Sequence, residues 1–296
     1  MNLMQRLRNP VLVNEWKLRM RTRRSPWIIA FYLLALGMVT LTFIYLVTGG
    51  RGYYNMNNSR EMFIVLSILQ LGMICFVVPG LTAGVISGER ERQTLNVLLT
   101  TNISATKLIL GKWLASLSFV TFLVFSTIPL YAIVFLYGGI SPAQLLKVFG
   151  FYLVTMLALG SVGVLISTLI KRTGVATVLS YAVVFAYTAG TVILAEVIRE
   201  FIEYQQRQNP APVRTEPLLP DLLHSINPLV GMLGIFNEGP VHDLRRTLSS
   251  QFSFVLVDPF WLYVLFLTFV TAICLALAVY LIKPVRPRLR KAANKE

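Results

Sequence analysis

The sequence predicts an all-α integral membrane protein with six transmembrane helices, and three observations carry that prediction. Of 296 residues, 55% are hydrophobic and only 14% charged, with a mean hydropathy of +0.67, whereas soluble domains carry about 25% charged residues. Six apolar stretches reach the roughly 20 residues that a helix needs to cross a bilayer core of ~30 Å. The Lys and Arg residues fall on one side of those stretches.

Residues 1–26 form a basic segment ahead of the first span. Asn9-Pro10 and Ser25-Pro26 are N-cap and N1 pairs, so a helix is expected from about Pro10 to Arg24, then a corner. Lys17, Arg19, Arg21, Arg23 and Arg24 suit the membrane surface. Its apolar residues make no single clean stripe, so a flexible basic arm is the alternative. The transmembrane domain covers 27–282, with spans at about 27–47, 62–86, 113–137, 149–170, 174–196 and 260–282. The first span is too long and too late for a cleaved signal peptide, and no small-residue cleavage site follows it. Between spans lie the 87–112 loop, the turn Lys171 to Gly174 and the long 199–259 loop; residues 283–296 are a basic tail.

If the six spans alternate, one face holds nineteen Lys/Arg against four acids and the other eight against nine. The positive-inside rule places the first face, with both termini, in the cytoplasm of a plasma (inner) membrane protein. The excess of positive charge fits anchoring to anionic lipid rather than to nucleic acid.

The spans exclude several functions. No Asp, Glu, Lys, Arg or His sits in the middle of a span, and ion-coupled transport or membrane metallochemistry needs such groups. His224 and His242 lack metal-ligand spacing and read as ordinary exposed histidines. Cys75 and Cys274 read as buried free thiols, a disulfide between them being possible but unsupported. Gly111-Lys112 is followed by Trp113 and lacks the upstream glycine of a P-loop, so the chain does not hydrolyse ATP by that route. Gly163 and Ser167, and Ala182, Ala186 and Gly190, recur at the four-residue spacing that brings membrane helices close together.

The stretch SGERERQTLNVLLTTN, 87–102, places four charges, Glu89, Arg90, Glu91 and Arg92, between two apolar spans. From Glu89 the apolar residues Leu95, Leu98, Leu99 and Ile103 share one helix face. Glu89 and Arg92 stand at pairing distance along that helix. After it, Ser104 is placed to cap a second helix leading into the third span. Such a helix either lies passively at the lipid interface or docks its leucine face on a soluble partner.

The run GERERQTLNVLLTTNISATKLILGKWLA resembles the motif before the third span in membrane subunits of type-2 ABC exporters. The segments NPVLVNEWKLRMRTRRS, LGSVGVLISTLIKRTGVAT and INPLVGML are similar to that family's elbow helix, fourth-to-fifth span region and outer loop. The resemblance implies a six-helix permease with an N-terminal interfacial elbow helix, a cytoplasmic coupling helix and a short outer re-entrant helix. It implies two such subunits, identical or paralogous, with separate cytoplasmic ABC ATPases that carry the ATP and Mg; no cofactor is expected in this chain. By match to the motif, Gly88, Glu89, Arg90, Glu91, Thr94, Leu95, Leu98, Leu99, Thr101 and Ser104 would couple to the ATPase. Asn96 replaces the family's usual Glu and Asn102 its frequent Pro, which bears on where the helix ends and which ATPase it meets.

On the outer side, IREFIEYQQRQ continues the fifth span as a polar helix up to NPAP. Asn227-Pro228 then starts a helix too short to cross the membrane, which either dips into the outer leaflet or packs on the surface. Phe260, Trp261 and Tyr263 fit an aromatic belt at the outer boundary. A membrane scaffold or sensor subunit that binds a P-loop ATPase without moving substrate is the alternative function. A polytopic lipid-modifying enzyme lacks the intramembrane polar cluster it would need.

Overall fold

A computed structural model describes residues 25–48, 56–95, 104–136, 140–208, 218–238 and 259–282. Every regular element among them is helical. In order these are α1 (Ser25–Thr48), α2 (Met56–Thr82), α3 (Ser87–Glu91), α4 (Ala105–Ser126), α5 (Ile128–Leu136), α6 (Pro142–Leu169), α7 (Thr173–Phe185), a π turn (Ala186–Gly190), α8 (Thr191–Gln208), α9 (Leu218–Ile226), α10 (Pro228–Ile235) and α11 (Pro259–Ile282). Helices are the expected solution in lipid, where every backbone donor and acceptor must be satisfied within the chain.

Among the described residues, five stretches are long and apolar enough to cross a membrane: Ser59–Glu91, Ala105–Leu136, Pro142–Leu169, Thr173–Gln208 and Pro259–Ile282. The 24-residue α1 carries a shorter apolar helical stretch, Ile29–Phe43. The third of the expected spans differs from its reading. It starts eight residues earlier, at Ala105, and breaks at Thr127, whose N–H and hydroxyl both turn back to the Val124 carbonyl. Pro129 has no N–H to continue the ladder across that break.

The helix α6 is the hub, packing against α2, α4, α7, α10 and α11. Its N-terminus carries a capping box in which Ser141 and Gln144 bond each other's backbone N–H. The polar groups it brings into the interior find partners there: the Tyr152 hydroxyl pairs with that of Tyr131 at 2.8 Å and donates to the Ser67 carbonyl at 2.9 Å. Tyr263 corrects the aromatic-belt reading. It is fully buried, stacked on Phe151 at 4.2 Å, with its hydroxyl on Thr155 at 2.8 Å. Trp261 remains exposed.

Candidate functional site

The charged stretch after the second span folds into a knot that ties three helices together. At the end of α2, Gly163 of α6 lies so close to Thr82 that a Cβ there would stand 2.0 Å from Thr82 Oγ1. One turn on, Ser167 reaches into the interrupted segment between α2 and α3. Its Oγ accepts the N–H groups of Ile86 and Ser87, both at 2.9 Å. A hydroxyl there satisfies donors that the break leaves without an intrahelical partner.

The two carboxylates of α3 then point to two further helices. Glu89 accepts from Lys112 Nζ of α4 at 2.7 Å, an ion pair whose lysine end is 6% exposed. The pairing of Glu89 with Arg92, expected from their spacing, therefore gives way to a tertiary partner. Glu91 accepts from the Thr173 N–H at 2.9 Å and from its hydroxyl at 2.6 Å. It thus serves as a distant N-cap for α7, whose own N-cap, Arg172, makes no capping bond. A carboxylate at a helix N-terminus also meets the positive end of the helix dipole.

The expected single helix from Glu89 is bent. Arg92 and Gln93 form a turn, with Gln93 at φ 59°, and the Thr94 hydroxyl folds back onto the Glu89 carboxylate and carbonyl. The left-handed conformation at Gln93 sends the chain in a new direction. Leu95 is consequently turned into the protein's own core, 7% exposed, rather than toward a partner. Arg92, Gln93 and Thr94 are exposed, whereas Arg90 and Gly88 are half-buried. Leu98, Leu99 and Thr101, with the elbow segment, His242 and the basic tail, lie outside the described residues. Ser104 caps α4 by accepting the Lys107 N–H at 3.3 Å.

Sequence reasoning missed Lys112 and Thr173. Lysine at the end of a span is ordinary, and the only signal was that two acids so near an apolar core need partners. Of the small-residue stripe, Ala182 and Ala186 are exposed on the outside of this chain, and Gly190 closes the half-buried π turn.

At the opposite end, α9 packs along α8 through polar residues. Asp221 pairs with Arg199 at 2.9 Å, and His224 Nε2 lies 3.3 Å from Glu196. Both Asp221 and His224 are buried, which corrects the exposed reading of His224. Asn227 caps α10, its Oδ1 accepting the N–H groups of Leu229 at 2.8 Å and Val230 at 3.2 Å. Burial, with Arg199 adding to it and Glu196 and Asp221 opposing it, holds the His224 imidazole below its ordinary value. The packed α8–α9 contact therefore disfavours the protonated ring. Its stability is complete above about pH 6.5 and is lost as pH falls through the lowered value. Protection factors across residues 218–226, taken relative to intrinsic exchange at each pH, should be lower at about pH 5 than at about pH 7.5; equal protection at both would contradict this.

The model of the family described as ABC-2 family transporter protein matches residues 10–283. The chain belongs to the ABC-2 transporter family. Comparison with curated proteins returns no match. As an ABC-2 family member it is the multi-pass membrane subunit of an ABC transporter, and the family implies that an ABC ATPase accompanies it. The knot at 82–95 lies within the matched region, and so does the α9–α10 helix pair.

Proposed function

We propose that this ABC-2 subunit is the permease of an exporter and moves substrate by alternating access, driven by a cytoplasmic ABC ATPase seated around residues 88–104. In this reading α1 is the first of six spans, both termini are cytoplasmic, and a second permease subunit completes the pathway. ATP and Mg sit on the ATPase. The observation that carries the reading is the knot: the segment at 87–95 is bonded to α4 through Glu89–Lys112, to α6 through Ser167 and to α7 through Glu91–Thr173. A displacement of that segment passes directly into three helices of the bundle. Two nucleotide states that bear differently on it shift the balance between inward- and outward-facing arrangements.

Leu95 is buried and Arg92 and Gln93 are exposed, which supports a reading in which the ATPase meets the exposed side of the bend. The test is isolation of the chain from its native membrane in mild detergent, beside an Arg92→Glu variant. An ABC ATPase should accompany the wild type and be recovered several-fold less with the variant. Equal recovery would move the contact elsewhere, and no ATPase with an intact bundle would remove the permease reading.

A further inference from the structure

The short outer helix α10 is fastened at both ends to different long helices, and it lies across the bundle between them. At its N-terminus, Asn227 is fully buried and uses both ends of its amide. While Oδ1 caps α10, Nδ2 donates to the Thr188 carbonyl and to Thr191 Oγ1, each at 2.6 Å. Those two residues belong to the π turn and the start of α8, where the widened helix offers carbonyls to side chains. Thr188 and Thr191 themselves donate to the carbonyls of Val184 and Tyr187. Such π turns are rare and often mark functional positions. The Tyr187 hydroxyl adds a bond to the Ile226 carbonyl, just before α10.

At the other end, Arg60 of α2 donates to the Phe236 carbonyl at 2.5 Å and pairs with Glu238 at 3.0 Å. The helix between these fasteners is seated closely. A Cβ at Gly231 would meet Phe151 at 3.2 Å, on the aromatic stack with Tyr263.

We infer that α10 is an outer strut holding the second span, through Arg60, to the π turn of the α7–α8 helix, through Asn227, and that these two are positioning residues for the transport cycle. Separating the outer ends of α2 and α8 requires the strut to let go at one end. Arg60 and Glu238 are half exposed, and exposed pairs hold weakly, so the Arg60 end releases first. The role in transport rests on the permease reading; the fastening itself does not.

Spin labels at positions 61 and 194, both exposed, test it in the full chain in nanodiscs, with Cys75 and Cys274 replaced by alanine. Wild type should give one narrow separation. Asn227→Asp, made together with Tyr187→Phe, retains the cap of α10 and loses both Nδ2 bonds and the bond to Ile226, and Arg60→Ala frees the other end; the variant at each end should shift the distribution to longer separations. Because the fasteners act in series, freeing both ends together should shift no further than the larger change from one end. Independent packing losses at such distant sites would add. Arg60→Lys, which keeps a donor and a charge, should restore much of the wild-type separation. Unchanged separations in the variants at both ends, or additive shifts, would overturn the strut. A failure to recover an ATPase would leave this result standing and remove only its place in transport.

Discussion

Gly163→Val is expected to break the bundle where α2 meets α6. Even the first added carbon would lie 2.0 Å from Thr82 Oγ1 and 3.0 Å from Thr82 Cβ. The threonine cannot turn aside without losing its bond to the Val78 carbonyl at 2.8 Å. Overpacking of this kind costs about 1–3 kcal/mol where side chains can give, and here the obstruction is a branched residue held on its own helix. The break also displaces Ser167 from the Ile86 and Ser87 amides. Thermal unfolding of the purified protein in detergent should show a clearly lower midpoint, partly recovered when Thr82→Ala is combined with Gly163→Val. A variant that melts like wild type would mean the two helices do not approach as described.

The second large effect concerns the ion pair between Glu89 and Lys112. Lys112→Met leaves the carboxylate, 23% exposed, without its partner beside an apolar core. Removing one member of a buried pair costs about 3–5 kcal/mol, and the partial exposure of Glu89 places this case near about 3 kcal/mol. Replacing both members by leucine removes the uncompensated charge and should be nearly neutral for stability. That double variant separates folding from coupling: it keeps the bundle and loses the tie between α3 and α4. Its unfolding midpoint should match wild type while the response of the spans to nucleotide at the ATPase is weakened, since only the ties to α6 and α7 remain. Equal destabilisation of the single and double variants would reduce the pair to packing.

These positions also show how far the sequence alone could be read. Helical spacing and apolar length located the long helices, because lipid leaves the backbone few alternatives. Ser104, Asn227 and Pro228 announced their helix starts by local chemistry, which needs no tertiary information. The bend at Gln93 did not announce itself, since glutamine carries no preference for the left-handed region. Leu95 fits the periodic stripe and yet turns inward, because the stripe assumed a straight helix. Lys112 and Thr173 lie 23 and 82 residues from their acids, and nothing local records such pairings. His224 was misread for the same reason: its burial depends on α9 packing against α8. That helix went unnoticed in the sequence, although Leu219, Leu222, Leu223 and Ile226 have helical spacing.

The measurement that bears most directly on the proposed mechanism uses the complex of this subunit with its ATPase in nanodiscs. Cysteines placed on the exposed outer stretch of α8, at positions 197 and 201, together with the 61 and 194 spin-label pair, would be followed without nucleotide and with the ATPase trapped after hydrolysis. An ATP-driven permease predicts that the outer separations and thiol accessibility change on trapping, and that the change is smaller in Glu89→Leu/Lys112→Leu. An ATPase that binds and turns over while the outer side stays the same would contradict it and leave a scaffold in its place.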